Sequence, residues 1–154
     1  MLGWLDIILR LGAAILVGSV IGLNRELHHK PTGMRTLGLV ALGSALAVLA
    51  VAQDPQADVS RVIQGVITGV GFLGAGVILH RPTGSKVHGL TTAAIIWITA
   101  SLGVLCGLAA WRILAIAVFL ILFLLIAGGP IENWWHRRLG SDKQSDLADG
   151  APNE

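Results

Sequence analysis

The sequence predicts an all-α protein, a polytopic bundle of five membrane-spanning helices. Three observations carry that prediction. Of 154 residues, 54% are hydrophobic and only 13% are charged, about half the charged share of a soluble domain. The charges divide the chain into apolar runs of 18 to 23 residues, close to the ~20 that cross a ~30 Å hydrocarbon core. The Lys and Arg residues collect at alternate ends of those runs. A water-soluble globule is excluded, because so few charges cannot cover its surface. A disordered chain is excluded by the apolar content. The runs are too long for barrel strands, and helices satisfy their own backbone in lipid. The single cysteine, Cys106, excludes an intrachain disulfide and a thiolate metal cage.

The first span runs from Trp4 to about Asn24 and holds Asp6 and Arg10 within two turns of its start. Asp6 precedes Arg10 by four residues, the favoured order for a helical ion pair. Near a helix end Arg10 can snorkel, and Asp6 offsets part of its cost in the bilayer. The same spacing continues through Ala14, Gly18 and Gly22. These small residues form a ridge that lets another helix approach closely, the usual packing device in lipid.

The second span is Thr36–Gln53 and the third Val62–His80. The third carries Gly65, Gly69, Gly71, Gly74 and Gly76, each costly in a soluble helix and expected here to serve close packing. A glycine-lined substrate path is the competing reading. Gly69-x-Gly71-x-x-Gly74 matches the dinucleotide fingerprint in letters only. The motif needs a preceding strand and an acid some 20 residues later; here it lies inside a span, and that later position is Ala94.

The fourth span is Gly89–Trp111 and the fifth Ile113–Ile131, separated only by Arg112. As one helix they would be roughly 65 Å long at 1.5 Å per residue, twice the bilayer, so the chain must turn between Gly107 and Arg112. Trp97 sits mid-span, away from the interface that tryptophan prefers, and is expected to face the bundle. Thr91, Thr92, Thr99 and Ser101 are its candidate hydroxyl neighbours. Residues 1–131 thus form the transmembrane domain. Residues 132–154 form a juxtamembrane segment and tail, with Trp134-Trp135-His136-Arg137-Arg138 as an interfacial anchor and a polar, disordered end beyond Gly140.

With the N-terminus outside, eight basic residues lie inside: Arg25, Lys30, Arg35, Arg81, Lys86, Arg137, Arg138 and Lys143. Arg61 and Arg112 lie outside, with Arg10 near that face. The positive-inside rule therefore sets the N-terminus out and the C-terminus in. No basic segment precedes the first apolar run, so no cleaved signal peptide is expected. Asp6, the one acid within the spans, is expected to meet both Arg10 and Arg61 at the outer face. Asp54 and Asp58 are rivals for Arg61.

His29–Leu39 aligns with His80–Leu90 at an offset of 51, with six of eleven positions identical and two Lys/Arg exchanges. Duplication would give two parallel helical hairpins about a pseudo-two-fold axis along the membrane normal, plus a fifth helix. Two basic turns arriving independently at Pro-Thr-Gly explain the match equally well. Side by side, the two turns and Arg25 would form a basic inner mouth beside Glu26, attractive to anions. Enforcing topology is the competing role for those charges. His28, His29, His80 and His88 lie among Lys and Arg, which disfavours a metal and reads as solvated loop.

Four blocks of residues resemble the MgtC/SapB family of bacterial inner-membrane proteins. They are Ile21-Gly22-Leu23-Asn24-Arg25-Glu26; Gly33-Met34-Arg35-Thr36; Arg61 and Gln64 leading to Gly69-Val70-Gly71-Phe72-Leu73-Gly74-Ala75-Gly76-Val77-Ile78; and Gly89-Leu90-Thr91-Thr92-Ala93-Ala94 with Trp97, Ala100 and Gly103. Asn24 and Leu37 stand where the family often has glutamate and histidine. The resemblance implies a place in the bacterial inner membrane and a link to magnesium homeostasis, growth at low magnesium, acid resistance and, in pathogens, virulence. It also implies a short form, without the soluble domain that many members add after the last helix.

The resemblance offers two mechanisms, a regulator or accessory of other membrane proteins and a transporter of magnesium or another cation. Magnesium prefers carboxylate and water oxygens, and proton relays normally use intramembrane Asp, Glu or His. The spans hold no acid at mid-depth, which favours the regulator. A path would have only Gln64, Thr68, Thr91, Thr92, Thr99 and the carbonyls near Gly65–Gly76. No nucleophile–base pair or metal-ligand spacing indicates an enzyme, a metal centre or a cofactor. The expected partners are the lipid bilayer and other inner-membrane proteins; self-association stays open, and nucleic acid is not expected. The candidate functional residues are Asp6, Arg10, Arg25, Glu26, Arg35, Arg61, Gln64, Lys86, Thr91, Thr92 and Trp97. The packing candidates are Gly18, Gly22, Gly65, Gly69, Gly71, Gly74, Gly76 and Gly89.

Overall fold

Four long apolar helices follow one another in the computed structural model, which describes residues 2–54, 56–79 and 89–127. They are α1 (Trp4–Leu27), α2 (Met34–Val51), α3 (Val59–Leu79) and α4 (Leu90–Gly107). Each is long and apolar enough to cross a membrane. A fifth helix, α5 (Trp111–Ala127), is shorter within the described residues; its expected continuation to Ile131 lies outside them. Among the described residues there is no strand. The chain divides into two units, Met1–Val118 and Phe119–Glu154. The first holds α1 to α4 and the opening turns of α5, where Leu114 is buried. The described part of the second is helical and exposes Phe119, Leu120, Phe123, Leu124 and Ile126.

Within the first unit, α2 and α4 form the central contact. The α1 helix lies against α2 and α4, and α3 lies mainly against α4. Among the described residues α1 and α3 do not meet. The core is built of small side chains: Ala14, Ala41, Ala45, Ala100 and Cys106 are fully buried, alongside Ile21, Leu37 and Val48. That composition follows from the solvent. Lipid is as apolar as leucine, so helices gain by close backbone approach rather than by hiding apolar surface.

The helix ends explain the turns. At the end of α1 the Lys30 N–H donates to the Arg25 carbonyl and the His29 N–H to that of Glu26. At the end of α4, Ala110 and Ala109 donate in the same way to Leu105 and Cys106. This double closure is the Schellman arrangement. It requires a left-handed residue, supplied by His29 (φ 51°) and Ala109 (φ 55°). The second closure produces the turn expected between Gly107 and Arg112, and α5 starts at Trp111.

Candidate functional site

Two polar clasps join α1 to α4 at opposite ends of the bundle. At one end Arg10 Nη2 lies 2.7 Å from Asp6 Oδ2, and Arg10 Nη1 donates to the Gly107 carbonyl at 2.8 Å. Gly107 is the last residue of α4, so its carbonyl has no helical donor, and a cation there also complements the helix dipole. At the other end Arg25 Nη2 donates to Thr92 Oγ1 at 2.7 Å and to the Pro31 carbonyl at 3.2 Å. Arg10 and Arg25 are fifteen residues apart, as are Thr92 and Gly107. The two clasps therefore share one antiparallel register, roughly 22 Å apart along the helices.

Arg25 is the unusual member. It is 5% exposed, and no carboxylate lies within salt-bridge distance among the described residues. Its neighbour Glu26 turns instead toward the start of α2, where Oε2 is 3.4 Å from the Met34 N–H. Among the described residues, three buried polar atoms have no hydrogen-bond partner: Arg10 Nε, Arg25 Nε and Thr99 Oγ1. Thr99 is fully buried at mid-span on the same face of α4 as Thr92.

Between the clasps the helices touch through glycine. A Cβ on Gly18 would strike the Leu37 carbonyl, and one on Gly22 would come within 2.5 Å of Met34 Cα. Gly74 packs on Ala93, 3.3 Å from its methyl group. Gly89 has a left-handed backbone, φ +96°, and lies against the Val77 carbonyl. A side chain there would be strained as well as crowded. Two further contacts are the tightest in the central α2–α4 pair, and sequence reasoning did not single them out as packing positions. A Cβ on Gly103 would strike the Ala41 carbonyl, and one on Gly107 would come within 3.0 Å of Ala45 and Val48. The signal was present in the four-residue spacing of Gly103 and Gly107, matched by that of Ala41 and Ala45.

Several expectations are corrected. Gly65, Gly69, Gly71 and Gly76 have open space where a Cβ would stand, because they face away from α4 or border a cleft. They do not pack helices within this chain. That cleft, of about 520 Å³, lies between α2 and α3, with Gly43, Ser44, Gly65 and Gly69 among its walls. Arg61 does not join Asp6 and Arg10, since α3 does not approach α1; it is 85% exposed and 3.5 Å from Asp58 Oδ2. Trp97 is 45% exposed rather than turned into the bundle, because it lies on the opposite side of α4 from Thr92 and Thr99. Arg35, Gln64 and Thr91 are exposed, so Thr92 rather than Thr91 reaches the buried guanidinium. Lys86, Arg81 and the Trp134–Arg138 anchor lie outside the described residues, and with them the pairing of the two basic turns.

Outside the spans, the Asp58 carboxylate caps α3. It accepts from the Ser60 hydroxyl at 2.5 Å and from the Ser60 N–H at 3.0 Å. The Ser60 hydroxyl is the main reason its pKa lies below the ordinary aspartate value, with the backbone N–H groups of Ser60 and Arg61 adding to it.

Residues 11–134 match the model of the MgtC family. The chain is 48% identical to Protein SrpB of Synechococcus elongatus over 135 residues, 79% of this chain and 74% of that protein. It is 41% identical to Protein MgtC of Salmonella typhimurium over 115 residues, 75% of this chain and 49% of that protein. It is 38% identical to Protein SapB of Bacillus subtilis over 147 residues, 90% of this chain and 61% of that protein. The chain thus spans about half the length of the Salmonella relative. No solved structure matches.

Proposed function

The chain belongs to the MgtC family, and from that premise we propose that it acts in the bacterial inner membrane as a regulator or accessory of other membrane proteins, serving magnesium homeostasis and growth at low magnesium. The observation that carries this reading is the interior of the bundle. Among the described residues its buried ionic group is the Arg25 guanidinium, whose field repels a divalent cation. The Asp6 carboxylate is engaged by Arg10. Between them α1, α2 and α4 close to backbone contact at Gly18, Gly22, Gly103 and Gly107. Magnesium transport favours a hydrated, oxygen-rich site with carboxylates, and this interior offers the opposite chemistry. The role needs no reaction at the protein, so we place it outside enzymatic chemistry.

The decisive experiment is reconstitution into liposomes loaded with a magnesium-sensitive dye. The expected result is no influx above empty vesicles across an imposed magnesium gradient. Protein-dependent influx that saturates with magnesium would overturn the regulator in favour of a transporter. The orientation proposed with this role is N-terminus out and C-terminus in, on the basic residues. A cysteine placed in the Pro82–Ser85 turn should react with a membrane-impermeant thiol reagent only after the cells are opened; labelling of intact cells reverses the orientation.

A further inference from the structure

The α3 helix lies mainly against α4 and only lightly against α2. The space left between α2 and α3 is the cleft of about 520 Å³, a volume in the range of small-ligand sites. Gly43 on one wall and Gly65 and Gly69 on the other lack the side chains that would fill it. Its polarity is graded along its length. Of its ten lining residues only Thr36 and Ser44 have polar side chains. The Ser44 hydroxyl donates to the Val40 carbonyl at 2.9 Å, which turns it back on its own helix. That leaves Thr36, in the first turn of α2, as the polar group at one mouth. Arg35 stands beside it and is exposed. It lies about 40° round the helix from Leu39 on the edge of the cleft. No acid stands in the first turn of α2. Glu26 reaches this end from the α1 side, where Oε2 is 3.4 Å from the Met34 N–H.

We propose that the cleft is a binding site for one acyl chain of an anionic phospholipid, with the phosphate-bearing headgroup held at the mouth by Arg35 and the Thr36 hydroxyl. Depth identifies the occupant. From Thr36 to Ser44 the cleft runs about 12 Å at 1.5 Å per residue. Half of a ~30 Å hydrocarbon core is about 15 Å. A partner's transmembrane helix needs a furrow through the whole core, whereas an acyl chain needs one leaflet. The apolar walls suit the chain, and the polar mouth suits its headgroup. The Arg35 guanidinium and the positive end of the α2 dipole both favour a negative group there. A zwitterionic lipid brings the same chains, but its headgroup also carries a cation, which Arg35 repels. With the orientation proposed above, the mouth opens on the cytoplasmic leaflet, where basic residues meet anionic headgroups. A lipid site is compatible with regulation and with transport, so its failure and that of the regulatory reading are separate results.

The test is photo-labelling of the purified full chain in phosphatidylcholine nanodiscs, where membrane insertion plays no part. The probes are phosphatidylglycerol and phosphatidylcholine carrying the same diazirine-bearing acyl chain, and peptide mass spectrometry locates the adducts. On the cleft walls, at Gly43, Ser44, Gly65 and Gly69, phosphatidylglycerol should label about five-fold more than phosphatidylcholine, the preference that one basic residue near an anionic surface supplies. At Leu16, on the exposed side of α1, the two probes should label equally. Arg35→Gln should bring the cleft ratio down to that of Leu16, and Arg35→Lys should keep it. Gly69→Leu fills the cleft and should abolish labelling there by both probes. Arg35→Gln, at an exposed position, keeps the test decisive if Gly69→Leu perturbs the bundle. Equal labelling of the cleft by the two probes, or a preference that survives Arg35→Gln, overturns the proposal. Cleft walls that neither probe labels also overturn it, because another segment or a partner helix then covers them.

Discussion

The α1–α2 and α3–α4 hairpins contain matching sequence but are packed differently. The 51-residue offset places Gly18 against Gly69 and the first Pro-Thr-Gly turn against the second. In the first hairpin Gly18 and Gly22 press on the backbone of α2 at Leu37 and Met34. In the second, Gly69 faces open space, and α3 meets α4 through Gly74 and Gly89 instead. Glycine spacing marks surfaces capable of close approach; the neighbour that lies against the helix decides whether the chain itself occupies them.

The largest expected effect breaks this comparison directly. Gly103→Leu and Gly18→Leu force a side chain into a neighbouring backbone carbonyl and should cost roughly 1–3 kcal/mol or more, the range for overpacking. Gly69→Leu enters open space and should leave the fold within about 0.5 kcal/mol. Thermal unfolding of the purified variants, followed by loss of the monodisperse peak, measures the difference. Similar losses at Gly69 and Gly18 would mean that α3 packs as tightly as α1.

A smaller effect sharpens the comparison at the Arg25 clasp, which ties α1 to α4 and has no counterpart on α3, because Gly76 occupies the position equivalent to Arg25. Thr92→Val removes the hydroxyl that receives the Arg25 guanidinium and leaves a buried cation underpaired. A hydrogen bond to a charged group is worth about 1.5–3 kcal/mol. Arg25→Met removes the cation together with its need for partners and should be close to neutral, as replacement of buried charges often is. The expected order in unfolding temperature is therefore Arg25→Met above Thr92→Val. The reverse order would show that the guanidinium gives net stability through contacts other than Thr92.

The bundle was legible because its signals are additive along the chain. Five apolar runs, the break at Gly107–Arg112 and the ridge of Ala14, Gly18 and Gly22 each rest on spacing alone. The site was legible in part. Arg25 reads as an inner-turn charge when basic residues are merely counted, yet at about 100° per residue it falls in the centre of the face formed by Ala14, Gly18 and Ile21. The helix continues one turn past Asn24, which carries Arg25 inside. Depth alone turns a mid-span indole such as Trp97 toward protein, whereas its angle on α4 places it opposite the core. Depth alone likewise brings Arg61 to Asp6, and depth cannot say which helices are neighbours. Angle is local to a helix and legible; adjacency depends on how the helices are arranged in the bundle and is not.

The smallest effect concerns the N-terminal end of α3, where the second hairpin carries a cap that α1 lacks. Asp58 accepts from the hydroxyl and N–H of Ser60, while the residue before α1, Gly3, offers no side-chain cap. The Ser60 hydroxyl, helped by backbone N–H groups, holds the Asp58 carboxyl below its ordinary pKa. A carboxylate depressed in the folded state contributes its stability above the unfolded pKa. That contribution is lost as pH falls through the lower, folded value. The cap should thus persist at neutral and mildly acidic pH and weaken only below the ordinary aspartate range of about 4. Hydrogen exchange at Ser60 and Arg61, whose N–H groups face Asp58, should accelerate there relative to the first turn of α1. Asp58→Asn should remove the pH dependence and retain a capping oxygen. Acid-induced fraying of equal size in α1 and α3 would show that the cap contributes nothing specific. Fraying confined to α3 would place an acid-sensitive joint at the N-terminal end of that helix, beside Arg61.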